Sequence, residues 1–270
     1  MASEPNKKMN TINYDAISDG YDRRYETAYR PDGIASKLLD LVRSVRAHSV
    51  LEVGCGTGHW LGVLQDHAFV VGMDLSSGML QKAAELKGKL SLVQGDTSRL
   101  PFSRQSFDVV FCVNALHHFR DPSTFVMEAH RLLRQKGALA VIGMDPHTEQ
   151  DRWFIYDYFP GTRETDLQRY PSPGTIADWM ITAGFESATW QVGERILDTR
   201  MGREVFPLPK NFTSQLTLLT PQAYRDGIAR IEAALQEAET AGETPVFHVD
   251  ISLAMVTGRV QGNNEKLVAT

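Results

Sequence analysis

The stretch VLEVGCGTGHW, residues 50–60, constrains the fold of this chain more than any other. A β-branched apolar run enters it, and three glycines follow at alternate positions, Gly54, Gly56 and Gly58. A chain sheds its side chains at the end of a strand when a ligand or another backbone must come close. A strand, a glycine-rich turn and a helix define a binding crevice at the carboxyl edge of an open α/β sheet.

The segments that follow repeat the unit. Apolar strands are predicted at 49–53, 68–74, 90–94, 107–114 and 138–144. Amphipathic helices fill the gaps. One spans 32–45; another follows the second strand with Ser76 or Ser77 as N-cap and Gly88 as C-cap; a third runs from Pro122 to Gly137. Strands alternating with helices imply a parallel sheet covered on both faces. Farther on, 173–184 reads as a helix, and 185–195 and 248–260 as strands. Two segments, 145–172 and 196–245, interrupt the pattern. The second ends in a helix capped by Thr220 with Pro221 in its first turn. The residues after 261 read as a loose tail.

Bulk properties narrow the function. The 270 residues suffice for one core domain with a lid. A net charge of −5 disfavours a broad cationic surface for nucleic acid. Cys55 and Cys112 both lie in apolar strand or turn segments and form no disulfide framework, which points to a reducing, cytoplasmic setting. The polar start carries no signal core, and no apolar run nears the roughly 20 residues of a membrane span. Two buried cysteines also rule out thiolate chemistry on a soft metalloid, and no metal is expected.

The glycine loop lacks the spacing for a dinucleotide. G-x-G-x-x-G needs a third glycine where this chain has His59. Other strand ends carry polar residues instead: Asp74 lies 20 residues after Gly54, placed for ribose hydroxyls, with Asp96 and Asn114 at the next two. With VVGMDLSSGML and LVQGDTSRLPFSRQSFDVVFCVNALHHFRDP in order behind the glycine loop, residues 45–145 resemble the class I S-adenosylmethionine-dependent methyltransferases of small-molecule type. The pattern is close to the quinone-biosynthesis C-methyltransferase group.

The resemblance implies a Rossmann-like, seven-stranded, mostly parallel sheet with helices on both faces and an inserted lid. It implies S-adenosylmethionine as cofactor, S-adenosylhomocysteine as product and a small-molecule acceptor. By resemblance, Glu52 places the methionine end, and Gly54, Cys55, Gly56, Thr57 and Gly58 form the loop beneath it. Asp74 holds the ribose, Leu75 and Met79 sandwich the adenine, and Asp96 and Thr97 meet its edge. Val113, Asn114 and Ala115 border the sulfonium. A helix within residues 1–30 covers the cofactor, with Tyr14 and Tyr21 as its contacts. The core is assigned to 31–144, 173–195 and 246–260, and the lid to 145–172 and 196–245.

The acceptor end is less specific. His117, His118 and Asp145 are the candidate catalytic groups, histidine because its pKa lies near neutrality. Trp153, Tyr156, Tyr158 and Arg169 are the candidate substrate contacts; the same aromatics equally suit a core internal to the lid. Three alternatives stay open on sequence alone: a tRNA-modifying methyltransferase, an NAD(P)-dependent oxidoreductase and a non-catalytic S-adenosylmethionine-binding protein. Oligomeric state is not encoded in any motif.

Overall fold

The computed structural model describes residues 12–15, 32–86, 88 and 90–262. Tyr21, most of the expected N-terminal helix and the tail beyond 262 lie outside the described residues. The sheet has eight strands: β1 (Ser49–Val53), β2 (Phe69–Asp74), β3 (Ser91–Gln94), β4 (Phe107–Val113), β5 (Leu133–Met144), β6 (Arg152–Trp153), β7 (Ser187–Met201) and β8 (Val246–Arg259). Their order is β3-β2-β1-β4-β5-β8-β6, with β7 on the far side of β8. β1 to β5 pair in parallel, and β8 runs antiparallel to β5, β6 and β7. The strand order reverses between β1 and β4, so the carboxyl ends of those two strands flank a crevice.

Helices cover both faces. α1 (Asp32–Ser44) and α2 (His59–Leu64) bury Ile34, Leu38, Leu41, Trp60 and Leu61 against Val50, Val70, Val109 and Phe111. On the other face, α4 (Pro122–Leu132) and α7 (Pro173–Ala183) bury Phe125, Ala129, Ile176 and Met180 against Leu51, Val110, Leu139 and Val256. α3 (Ser77–Ala84) packs its Leu80 with the first of these clusters, and the Ser76 hydroxyl caps it by accepting from the Met79 N–H.

A third core belongs to the two interrupting segments. It collects α5 (Phe154–Tyr158), α6 (Thr162–Arg169), α8 (Ser214–Leu218) and α9 (Pro221–Ala241) over the first half of β8. Trp153, Phe154, Phe159, Leu216, Ile231 and Leu235 pack there against Phe247, Val249 and Ile251. β8 therefore serves two cores. Residues 247–251 carry the inserted segments, and 253–259 complete the sheet against β5.

Four boundaries differ from the sequence reading. The fourth helix ends at Leu132, not Gly137, because Leu133 pairs with Phe107 and pulls the chain into β5 early. α3 ends at Ala84 with Glu85 as its cap, well short of Gly88. β7 runs on to Met201 rather than stopping at 195, so the second interrupting segment starts at about 202. β6 is an eighth strand, two residues long. The Thr220 cap and the Gly184 terminus are found where expected, the latter with φ +101°. Among the described residues no helix is long and apolar enough to cross a membrane, and no His, Cys, Asp or Glu cluster is arranged to hold a metal ion.

Candidate active site

The crevice is built by the turn after β1. Gly54, Gly56 and Gly58 all take left-handed backbone, with φ of +74°, +53° and +81°. A side chain there is strained. A Cβ on Gly54 would also lie 2.6 Å from the Ala115 Cβ, so the turn rests directly on the residue that leaves β4. The Gly54 and Cys55 N–H groups donate to the Met73 carbonyl at 2.7 and 3.1 Å. This fixes the loop against the end of β2.

Asp74 closes that end. One carboxylate oxygen accepts from the Gly56 N–H at 2.8 Å, the other from the Ser76 N–H at 2.9 Å. Burial raises its pKa while those backbone donors act to lower it. Its carboxylate is thus held rigid between the two turns that border the crevice.

Glu52 is more unusual. It sits in β1 opposite Gly72 and Phe111 and is 1% exposed. Its Oε2 is buried with no hydrogen-bond partner among the described residues. Burial, then the nearby Asp74 charge, pushes its pKa well above the ordinary carboxylate range. An orphaned buried carboxyl oxygen is a costly feature that a cationic ligand group would relieve.

The remaining expected cofactor residues spread along the same edge. Leu75 is 67% exposed at the rim, whereas Met79 points inward at 1%. Asp96 is exposed and accepts from the Ser98 N–H at 2.7 Å, and Thr97 beside it is half-buried. Asn114 takes left-handed backbone, φ +49°, and is exposed, while Val113 and Ala115 on either side are buried. Thr57 and Cys55 are buried in the turn, and burial pushes the Cys55 thiol up in pKa, so it stays neutral.

A short N-terminal segment straddles the crevice. The Tyr14 hydroxyl lies 2.6 Å from His118 Nε2, on the β4 side. The next residue, Asp15, accepts from the Ser76 hydroxyl at 2.6 Å and the Gly78 N–H at 2.8 Å, on the α3 side. Tyr14 was legible in the sequence; Asp15 was not, because an aspartate between tyrosines carries no signal of its own.

Beyond Asn114 the chain forms a single 3-10 turn, Leu116–His118. His117 and Tyr170 line a small cleft, partly open to solvent, with Asn114, Gly143, Met144 and Ile176. The His117 and Tyr170 rings stack at 3.9 Å and 22°, and the Tyr170 hydroxyl is 3.0 Å from His117 Nε2. Burial, then His118 and Arg169, pushes the His117 pKa well below its ordinary value, so the ring is neutral at pH 7.

The other acceptor-end candidates are placed differently. Asp145 caps the turn Pro146–Thr148, accepting from the His147 N–H at 3.1 Å. Trp153 is buried in the third core, in edge contact with Tyr156, and Tyr158 packs on Phe247. The Tyr156 hydroxyl donates to Asp166 at 2.9 Å, and Arg169 pairs with Asp166 at 3.3 Å. None of these five candidates, Asp145, Trp153, Tyr156, Tyr158 and Arg169, lines the cleft. No sequence pattern marks Asp166 or Gln215, which join a network only the fold assembles.

Comparison with known proteins agrees with this geometry. Residues 51–141 match the family model described as a methyltransferase domain. Over 172 residues the chain is 26% identical to the demethylmenaquinone methyltransferase of Thermotoga maritima, an alignment covering 56% of this chain and 75% of that one. It is 31% identical over 123 residues to the malonyl-acyl-carrier-protein O-methyltransferase of Legionella pneumophila, covering 43% of each. Its fold matches that of the YcgJ protein from Bacillus subtilis with a TM-score of 0.57 at 18% identity, over 84% of this chain and 98% of that one.

Proposed function

We propose that the core of this chain, which matches the methyltransferase-domain family model over residues 51–141, is a class I S-adenosylmethionine-dependent methyltransferase domain, and that the protein transfers a methyl group to a small-molecule acceptor held under the inserted segments. The observation that carries the reading is the convergence of Glu52, Asp74, Asp96 and Asn114 from four adjacent strand ends onto one crevice. S-adenosylmethionine, when bound, supplies an electrophilic methyl group on a sulfonium.

The residues present fit that group. The orphaned Glu52 oxygen suits an ammonium, directly or through water. The turn Gly54–Gly58 exposes backbone where a side chain would block approach, and the start of α2 favours a carboxylate. Asp74 is assigned the ribose hydroxyls, Leu75 the adenine face, and Asp96 with Thr97 the adenine edge. Met79 supports this wall from within, its exposure being only 1%. Val113, Asn114 and Ala115 border the reacting end. Tyr14, bonded to His118, covers the crevice.

The chain's task is alignment and exclusion of water. Holding two reactants in line accounts for roughly 7–11 kcal/mol of barrier reduction in well-oriented systems. Residues 145–172 and 202–245 are assigned as the lid that does so. Trp153, Tyr156, Tyr158 and Arg169 act as its framework, and His118 and Asp145 brace its entrance through Tyr14 and the turn at 146–148. Of the three catalytic candidates, His117 is the one that lines the cleft, and it is assigned the contact with the acceptor.

Calorimetric titration with S-adenosylhomocysteine, with NADH in parallel, tests the reading. Micromolar binding of the first and none of the second is expected. Binding of NADH alone would replace the methyltransferase with an oxidoreductase. Binding of S-adenosylhomocysteine without turnover across a broad acceptor screen would leave a cofactor-binding protein.

A further inference from the structure

The small cleft beside Asn114 has the sheet itself as its floor. Val141 and Gly143 of β5 and Ala254 and Val256 of β8 form that floor, and Pro171, Pro173 and Ile176 stand on the other side. The ladders fix how the floor continues. Val141 is opposite Val256, and Val256 is opposite Trp190; Gly143 is opposite Ala254, and Ala254 is opposite Val192. Residues directly opposite in an antiparallel pair share a face. Two rows therefore cross from the cleft to β7, and each ends in an exposed apolar side chain, Trp190 at 57% and Val192 at 60%.

The second row is the open one. A Cβ on Gly143 would meet one neighbour among the described residues, the Asn114 Oδ1 at 3.7 Å, and Ala254 is half-buried. Asn114, Gly143, Ala254 and Val192 thus make a track from the end of β4 to the outer strand, with small residues in its middle. A bulge sets what lies beyond the exit. The β7 register shifts between Val192 and Glu194, so Leu197 and Met201 fall opposite Asp250 and Val246, on the face of Trp190 and Val192. Without that shift the alternation of the strand would turn both toward the third core; instead they are exposed. Neither row carries a charge. Farther along the face Arg195 and Asp250 bind each other at 2.7 and 2.8 Å, with Arg152 opposite Asp250.

We infer that the acceptor is amphiphilic: its reacting head lies at Asn114, and an uncharged apolar chain runs over Gly143 and Ala254 and leaves past Val192. Contiguous exposed apolar surface marks ligand grooves and interaction sites, and its continuity with the cleft selects the groove. The middle of the track lies between the sheet and the segment 171–176, which leaves room for a thin chain and not for an element of another protein. Three strand spacings separate Asn114 from Val192, about 14 Å, so a chain of about ten carbons spans the track.

This inference rests on the proposed function only for the position of the head. Its test is fluorine NMR of the full-length protein carrying 5-fluorotryptophan, with the Trp190 signal assigned by Trp190→Phe. The probes are 1-butanol, 1-hexanol, 1-octanol and 1-decanol, titrated with and without S-adenosylhomocysteine. The Trp190 signal should shift saturably with 1-decanol and not with 1-butanol, and 1-decanol should bind about four- to tenfold tighter than 1-octanol. Ala254→Leu fills the track at a distance from Trp190, and Val192→Asp puts a charge at its exit. Each should weaken 1-decanol at least tenfold, whereas binding to the bare surface of β7 would not respond to Ala254→Leu.

No saturable shift with 1-decanol, or one that both variants leave unchanged, overturns the track. So does a dimer of the parent in sedimentation velocity that Val192→Asp converts to monomer, since a second copy then covers the exit. If one variant fails to fold, the parent titration and the other variant decide. Absence of S-adenosylhomocysteine binding to the parent, measured by calorimetry, faults the methyltransferase reading instead and leaves the alcohol titration to judge the track.

Discussion

At the scale of single residues, two carboxyl groups on neighbouring strands behave oppositely. Asp74 has both oxygens bonded to backbone N–H groups, and Glu52 has an oxygen with nothing. Glu52 has a pKa raised in the fold, so its contribution to stability is present below the ordinary value of 4.5 and is lost as pH rises through the folded value. Glu52→Gln removes that loss. The expected outcome is a higher Tm than the parent, with the gap widening as pH rises above the ordinary carboxylate value of 4.5, together with weaker S-adenosylhomocysteine binding. Parallel Tm curves would count against a buried, unpaired carboxyl. Asp74→Ala and Gly56→Val are expected to abolish binding of the same ligand while circular dichroism stays that of the folded chain. Parent-like affinity in both would remove this crevice from consideration.

At the scale of elements, two helical glycines make opposite demands. Gly227 on α9 faces the Phe159 ring so closely that an added Cβ would overlap it. Gly62 on α2 has nothing within 4 Å of where a Cβ would stand. Gly227→Ala is therefore expected to destabilise by roughly 1–3 kcal/mol through overpacking, and Gly62→Ala to stabilise by roughly 0.5–1 kcal/mol through helix propensity. Denaturant titration of both variants checks the pair, and the same sign for both would refute the packing described for α9.

How legible these elements were depended on what holds them. β1, β2 and β4 are buried on both faces as parallel strands, and their continuous apolar runs show in the sequence. Leu133–Gly137 did not, because RLLRQKG has helical propensity that the pairing of Leu133 with Phe107 overrides. The far half of β7 is not legible either, because Arg195–Met201 alternates exposed with half-buried residues and has no fully buried face to set a two-residue hydrophobic period. In the candidate site, the glycines and strand-end acids were readable from spacing alone. Asp15, Asp166 and Gln215 were not, since their partners lie 61, 10 and 49 residues away in the chain.

At the scale of the whole molecule, residues 12–15 join the two walls of the crevice. Tyr14 binds the β4 side and Asp15 the α3 side, and the proposed cofactor site beneath them predicts that release waits on the opening of at least one of the two contacts. The double variant Tyr14→Phe, Asp15→Ala should raise the dissociation rate of S-adenosylhomocysteine by about tenfold, equivalent to about 1.4 kcal/mol, with a smaller change in association. Stopped-flow displacement reads this directly. An unchanged dissociation rate would mean that the segment does not bar the exit.

β8 carries the third core on its first half and the β5 ladder on its second. The lid therefore is not a cassette that can be excised at two loops and replaced. Any recombination that imports a different lid must also import the leading half of a strand in register with β7. Hydrogen exchange along 246–259 should fall in one cooperative block, with lid and sheet margin opening together. On the proposed lid assignment, a chain of this design changes its acceptor by substitution within residues 145–172 and 202–245 more readily than by exchange of the whole segment.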